Sequence, residues 1–269
     1  MLWYTANRND QGGKNHDATY RNDYRREFGH RPGYRRTFSA KKYDLILLAR
    51  RTEPMVQAAA VWEEKYGAKA HVFPLDVTKR SMVERVCQQL VEEGLVPDVL
   101  INNAGLAREL KPYAENDLDD VDEVVNTNVK GLLYVTRAML PAMIERGQGH
   151  IVNLGSTAGQ GAYAGGAVYC ATKAAVKMLG DAIRIETIAT DIKVTTIMPG
   201  IVETPFSEVR FKGDSDRAAA VYAGVEALTP GDIAEIIAFV ISRPRRVQIS
   251  DVTILANQQA TGSMIHKSK

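Results

Sequence analysis

Tyr169 and Lys173 stand four residues apart in a stretch of helical period, residues 169–189, so their side chains share one face about a turn apart. An ammonium beside a phenol favours the phenolate and is expected to draw its pKa from about 10 toward neutrality. That makes Tyr169 a candidate general acid and base. Ser156 follows the apolar run IVNL of residues 151–154. A hydroxyl at the C-terminal end of a strand, the edge where open α/β sheets bind ligands, can hold a carbonyl oxygen while the phenol exchanges the proton. The chemistry implied is proton transfer at an alcohol or carbonyl, and it calls for no metal.

The elements that must position these groups are legible from residue 43 onward. Short apolar, often β-branched runs fall at residues 45–48 (LILL), 70–73 (AHVF), 99–101 (VLI), 151–154 (IVNL), 194–198 (VTTIM) and 252–255 (VTIL). Such runs fit parallel strands buried on both faces. Between them lie segments of helical period at 53–66, 81–93, 117–145, 169–189 and 230–242. Alternating strand and helix predicts a Rossmann-like, three-layer α/β fold with a doubly wound parallel sheet, and residues 43–269 read as one domain.

Residues 1–42 are different in kind. After Leu2 no Leu, Ile, Val or Met occurs until Leu45, and this segment carries a formal charge of +6 against −4 for the remainder. The overall +2 is therefore a sum of unlike parts and does not suggest a nucleic-acid or membrane-surface protein. The segment reads as disordered or poorly packed, unable to fill a buried central strand. Cys87 and Cys170 form no CxxC or Cys/His pattern, which predicts neither a disulfide framework nor a zinc site. With no apolar run of about 18 residues and no signal-peptide core, a cytoplasmic location is expected.

Several motifs in order carry a resemblance. NNAG ends at Gly105, NTNVKG contains Asn128, Ser156 precedes Tyr169 by 13 residues, YCATK ends at Lys173, and PGIVET runs from Pro199 to Thr204. From about Tyr43 to its end the chain resembles a classical short-chain dehydrogenase/reductase. The resemblance implies that Ser156 polarises the substrate oxygen and Tyr169 is the acid/base. Lys173 would hold the nicotinamide ribose and tune Tyr169, while Asn128 would interrupt its helix and anchor a water relay. It further implies adenine contacts from Asp76 and Val77, and passage of Asn103, Ala104 and Gly105 beneath the cofactor. Pro199, Gly200, Ile201, Val202 and Thr204 would line the nicotinamide amide. A homotetramer or homodimer is expected, with a small-molecule substrate and neither nucleic acid nor membrane as partner.

Cofactor choice is read at the end of the second apolar strand of such a fold, where an acid suits NAD and an Arg suits the 2′-phosphate of NADP. Here Arg50 and Arg51 follow LILLA and no acid comes before Glu53, which predicts NADP. The stretches GAYAGGAVYCATKAA and FSEVRFKGD resemble the branch of this family that oxidises serine and other 3-hydroxy acids. Arg210 and Lys212 are then candidate partners of the substrate carboxylate, Arg210 being the one expected to bind it directly. A 3-oxoacyl thioester reductase and an impaired scaffold are the alternatives.

One motif is missing. Family members open with a strand and TGxxxGxG, whose glycines bring main-chain amides onto the pyrophosphate. No such pattern occurs in this chain. Synonymous codon choices nevertheless exist for Asp23 to Arg36 that, read one nucleotide later into Thr37, spell ITGGSSGIGRATAE. Residues of roughly 15–40 are accordingly read as an out-of-frame translation of the first βα unit, with the frame restored near Ala40. The chain as written is expected to be destabilised and to bind NADP poorly.

Overall fold

In a computed structural model the described residues are 2–8, 43–67 and 69–268, the first group by main chain alone. The run LILLA becomes β2, Tyr43–Ala49, after β1, Leu2–Arg8. There follow α1 (Glu53–Tyr66), β3 (Ala70–Pro74), α2 (Arg80–Glu92) and β4 (Val99–Asn102). Next come α3 (Leu118–Val125), a π turn at Asn126–Lys130, α4 (Gly131–Glu145) and β5 (Gly149–Leu154). The remainder is α5 (Ala167–Glu186), β6 (Ile192–Pro199), α6 (Phe206–Arg210), α7 (Ser215–Tyr222), α8 (Pro230–Ile241) and β7 (Asp251–Ile254).

The seven strands hydrogen-bond in the order β3-β2-β1-β4-β5-β6-β7. Every pair not involving β1 is parallel. The hydrophobicity of β2 has a direct cause: successive side chains enter opposite layers, Leu45, Leu47 and Ala49 on one face and Ile46 and Leu48 on the other. Met55 and Trp62 of α1 and Ile233, Ala234 and Ile237 of α8 cover the first face. Val83, Val86 and Leu90 of α2, Val135 and Met139 of α4, and Val176 of α5 cover the second. The three-layer, doubly wound architecture expected from the alternation is present.

Within the 117–145 stretch a π turn at Asn126–Lys130 separates α3 from α4, the interruption expected at Asn128. One expectation is corrected. The first segment does contribute a central strand: β1 lies between β2 and β4 and runs antiparallel to both, Leu2 opposite Ala49, Arg8 opposite Tyr43, and Tyr4 opposite Ile101. The physical reason is that β2 and β4 each present a row of main-chain donors and acceptors to the slot, and buried groups of that kind must be paired. A proline-free extended segment, LWYTANR, meets that need through its main chain. The out-of-frame reading and the rest of the basic segment fall on residues 9–42, outside the described residues.

No helix among the described residues is long and apolar enough to cross a membrane, and none of their His, Cys, Asp and Glu side chains cluster as a metal site would require.

Candidate active site

The C-terminal ends of β4, β5 and β6 and the start of α5 surround a cavity of about 550 Å³. Its walls include Asn103, Gly105, Ser156, Tyr169, Lys173, Pro199, Gly200, Ile201, Val202, Thr204 and Arg210. Residues separated by more than a hundred positions are thus gathered at one sheet edge. Arg50, Asp76, Val77 and Ala104 line a separate cleft with Leu75, Thr78 and Thr127. Arg51 is exposed and lines neither. Neither Arg50 nor Arg51 has an ion-pair partner among the described residues.

Ser156 caps a short 3-10 turn, Thr157–Gly159, its Oγ accepting from the Ala158 amide at 3.1 Å and donating to the Pro199 carbonyl at 3.4 Å. That turn rests against α5. A Cβ on Gly159 would stand 2.6 Å from the main-chain carbon and oxygen of Lys173, so the turn carrying Ser156 sits directly on the helix that carries Tyr169 and Lys173. Gly159→Ala should force the two apart, costing about 1–3 kcal/mol and lowering turnover as well. Denaturant midpoints and kcat check this; an unchanged midpoint would show that the approach tolerates a methyl group.

Lys173 is buried, with only 5% exposure, and its Nζ donates to the Leu154 carbonyl at 2.6 Å. The ammonium lies 5.8 Å from the centroid of the Tyr169 ring, on the shared helix face that the four-residue spacing dictates. Gly105 is packed beneath it, for a Cβ there would approach Lys173 Nζ to 3.2 Å and Asn128 Oδ1 to 3.4 Å.

The Tyr169 phenol is not drawn toward neutrality in this structure. Burial pushes its pKa up to about 12, opposed chiefly by the Arg210 guanidinium and then by a hydrogen bond with Ser156. Arg210 thus holds first place among the lowering influences, the role expected of Lys173. Its guanidinium carbon lies 5.3 Å from the Tyr169 ring centroid and 5.2 Å from that of Phe206, and Nη2 donates to the Tyr163 hydroxyl at 3.3 Å. Arg210 Nε is buried without a partner among the described residues. Lys212, the other cation proposed for a carboxylate, instead pairs with Asp120 at 2.8 Å and does not line the cavity.

Asn128 does interrupt its helix, in the π turn. Its carboxamide is a clamp: Oδ1 accepts from the Leu106 amide at 2.8 Å, and Nδ2 donates to the Leu106 carbonyl at 2.9 Å and to Thr172 Oγ1 at 3.0 Å. Both Nδ2 hydrogens are therefore committed to protein groups. Asp76 Oδ1 accepts from the amide and hydroxyl of Thr78, and Val77 packs on Gly131, where a Cβ would come within 2.7 Å.

Residues to which the sequence analysis gave no role complete the site. Gln259 Oε1 accepts from the Ile201 amide at 2.8 Å, and a Cβ on Gly200 would fall 2.0 Å from that oxygen. A side chain at the glycine of PGIVET would have to displace the Gln259 carboxamide from the Ile201 amide. Tyr163, Gly262, Ser263 and Ile265 also line the cavity.

The short chain dehydrogenase family profile matches residues 34–215, more than half the chain. The chain belongs to the short-chain dehydrogenase family. This short-chain dehydrogenase is 40% identical over 228 residues to an NADP-dependent 3-hydroxy acid dehydrogenase of Schizosaccharomyces pombe, covering 85% of this chain and 88% of that one. It is 41% identical over 235 residues to a protein of the same description from Salmonella typhi, covering 87% and 93%. Among solved structures, the closed form of serine dehydrogenase complexed with NADP+ matches with a TM-score of 0.81 at 37% identity, covering 89% of this chain and 96% of that one.

For such an enzyme the described residues fit part of a dinucleotide. The cavity of about 550 Å³ beside Lys173 is large enough for a nicotinamide and its ribose, and the Arg50 guanidinium at the separate cleft is of a type that would suit an adenosine 2′-phosphate. The pyrophosphate cradle is a different matter, since TGxxxGxG is absent and β1 leads away from the ligand edge.

Proposed function

We propose that this chain is an NADP-dependent oxidoreductase that oxidises the hydroxyl of small, serine-like 3-hydroxy acids to oxo acids, or performs the reverse reduction. NADP, when bound, supplies the hydride acceptor and donor. Ser156 orients the substrate oxygen, and Tyr169 takes the hydroxyl proton during oxidation or returns it to the carbonyl oxygen during reduction. Lys173 holds the ribose and Asn128 positions the loop beneath it, the relatives named above giving the choice of NADP its support. Asp76, Val77, Asn103 and Ala104 serve as further cofactor contacts, with Gly105, Pro199, Gly200, Ile201, Val202 and Thr204. Arg50 and Arg51 attract the 2′-phosphate.

The observation that carries the substrate class is Arg210: a guanidinium in the same cavity as Ser156 and Tyr169, with its buried Nε free of protein partners among the described residues. A substrate carboxylate satisfies such a donor, and a charged hydrogen bond of this kind is worth about 1.5–3 kcal/mol. Arg210→Met should raise KM for 3-hydroxybutyrate by about tenfold to a hundredfold, with a much smaller effect on its methyl ester. Equal effects on acid and ester would reject the carboxylate reading and favour a carbonyl or 3-oxoacyl thioester reductase.

The antiparallel β1 favours a second reading, a scaffold impaired in cofactor binding; the retained Ser156, Tyr169 and Lys173 oppose it. We further infer a cytoplasmic homodimer or homotetramer. Association is supported by the apolar groove between α3 and α5, lined by Val121, Val125, Ala167 and Val168.

A further inference from the structure

We propose that Arg108 and Glu109 are positioning residues that set the pose of Arg210 by clasping α6 to the loop after β4. The role rests on the reading of Arg210 as the carboxylate anchor. Arg108 makes a fork on Glu123, Nε to Oε2 at 2.7 Å and Nη2 to Oε1 at 2.9 Å, and its Nη1 donates to the carbonyl of Val209, the residue before Arg210. A planar guanidinium satisfies three acceptors in fixed directions, which an ammonium cannot do. The next residue holds Arg210 itself: the Glu109 amide donates to the Arg210 carbonyl at 3.0 Å. Glu109 also pairs with Arg217 at 2.8 Å, so the loop meets residues 209–217 at three points, and Asp120 of α3 adds a fourth tie, to Lys212 at 2.8 Å.

Backbone conformation supplies an independent sign. Among the described residues only two non-glycines have left-handed φ, Glu109 at 49° and Lys212 at 53°. One lies on each side of this clasp. Such conformations persist where the surroundings over-determine them, and they concentrate at ligand clamps and switch regions.

With its main chain fixed by Glu109 and the adjoining carbonyl by Arg108, Arg210 reaches into the cavity while Tyr163 holds its Nη2. Arg108 does not line that cavity, so it acts through Arg210 without touching the substrate.

The test uses the full chain and the variants Arg108→Gln, Arg108→Lys and Arg210→Met. Amide hydrogen exchange across residues 205–217 should quicken about tenfold in both Arg108 variants, while exchange in β5 keeps its wild-type rate as proof of folding. At saturating NADP, the ratio of kcat/KM for 3-hydroxybutyrate to that for its methyl ester should fall about tenfold in both, toward the Arg210→Met ratio. Lysine is expected not to rescue, since one ammonium cannot bridge Glu123 and Val209. Unchanged exchange at 205–217 would overturn the clasp. Faster exchange with an unchanged ratio would overturn the positioning role. If Arg210→Met itself leaves the ratio unchanged, it is the carboxylate reading that fails. An Arg108 failure beside a working Arg210→Met effect would count against this inference alone.

Discussion

Tyr169→Phe should lower kcat/KM by about a thousandfold, roughly 4 kcal/mol of transition-state stabilisation. The substitution removes one oxygen and keeps the ring, which packs against Phe206 with centroids 5.6 Å apart. Ser156 would still accept from the Ala158 amide and Lys173 would still donate to Leu154, so a folded site lacking only its proton carrier is expected. The pH profile adds a second check. Because burial holds the phenol near 12, it is protonated at neutral pH. Reduction, which needs a proton donor, should be level through neutral pH, whereas oxidation should accelerate as pH rises. Removing Arg210, the largest influence lowering this pKa, should push the alkaline limb of oxidation to still higher pH. A Tyr169→Phe variant with wild-type turnover would mean that another group carries the proton, and Tyr163, on the same cavity wall, would be the next to test.

The reacting groups were legible because local rules place them. Four-residue helical spacing puts Tyr169 beside Lys173, and a serine after an apolar run falls at the ligand edge. The six strands from Tyr43 onward and the longer helices follow from periodicity, since strands buried on both faces need continuous apolar runs, whereas the short α6 and α7 carry no such signal. What the sequence concealed are contacts between residues distant along the chain. Tyr163 meets Arg210 across 47 positions, Ile201 meets Gln259 across 58, and Val209 meets Arg108 across 101. Only the topology brings these together, and no spacing rule encodes them. The upward shift of the Tyr169 pKa is not legible for a related reason: helical spacing shows the neighbour Lys173, but the burial of the phenol and the approach of Arg210 are tertiary facts. The direction of β1 is illegible because side-chain type does not encode whether a strand pairs parallel or antiparallel with its neighbours.

That direction bears on the largest effect expected for cofactor binding. β1 starts opposite Ala49, at the edge where Ser156 and Tyr169 lie, and ends opposite Tyr43 at the far edge. A strand parallel to β2 and β4 would finish at the ligand edge and deliver the following loop onto the pyrophosphate, with main-chain amides as donors. Replacing Asp23 to Arg36 with ITGGSSGIGRATAE, preceded by a short apolar run such as IAM, should restore that geometry. Two charge-assisted amide contacts at about 1.5–3 kcal/mol each predict NADPH affinity at least about a hundredfold above that of the present chain. Burying the added apolar side chains in the central slot should also raise the melting temperature, each contributing about 1.5–3 kcal/mol when fully covered. Fluorescence titration with NADPH on both mass-verified chains measures the first effect and calorimetry the second. Micromolar binding by the chain as written would refute the prediction and mean that the pyrophosphate is held without the glycine motif. The encoding DNA bears on the cause separately: codons that do not spell the motif in the shifted frame would rule out an out-of-frame origin while leaving the binding comparison valid.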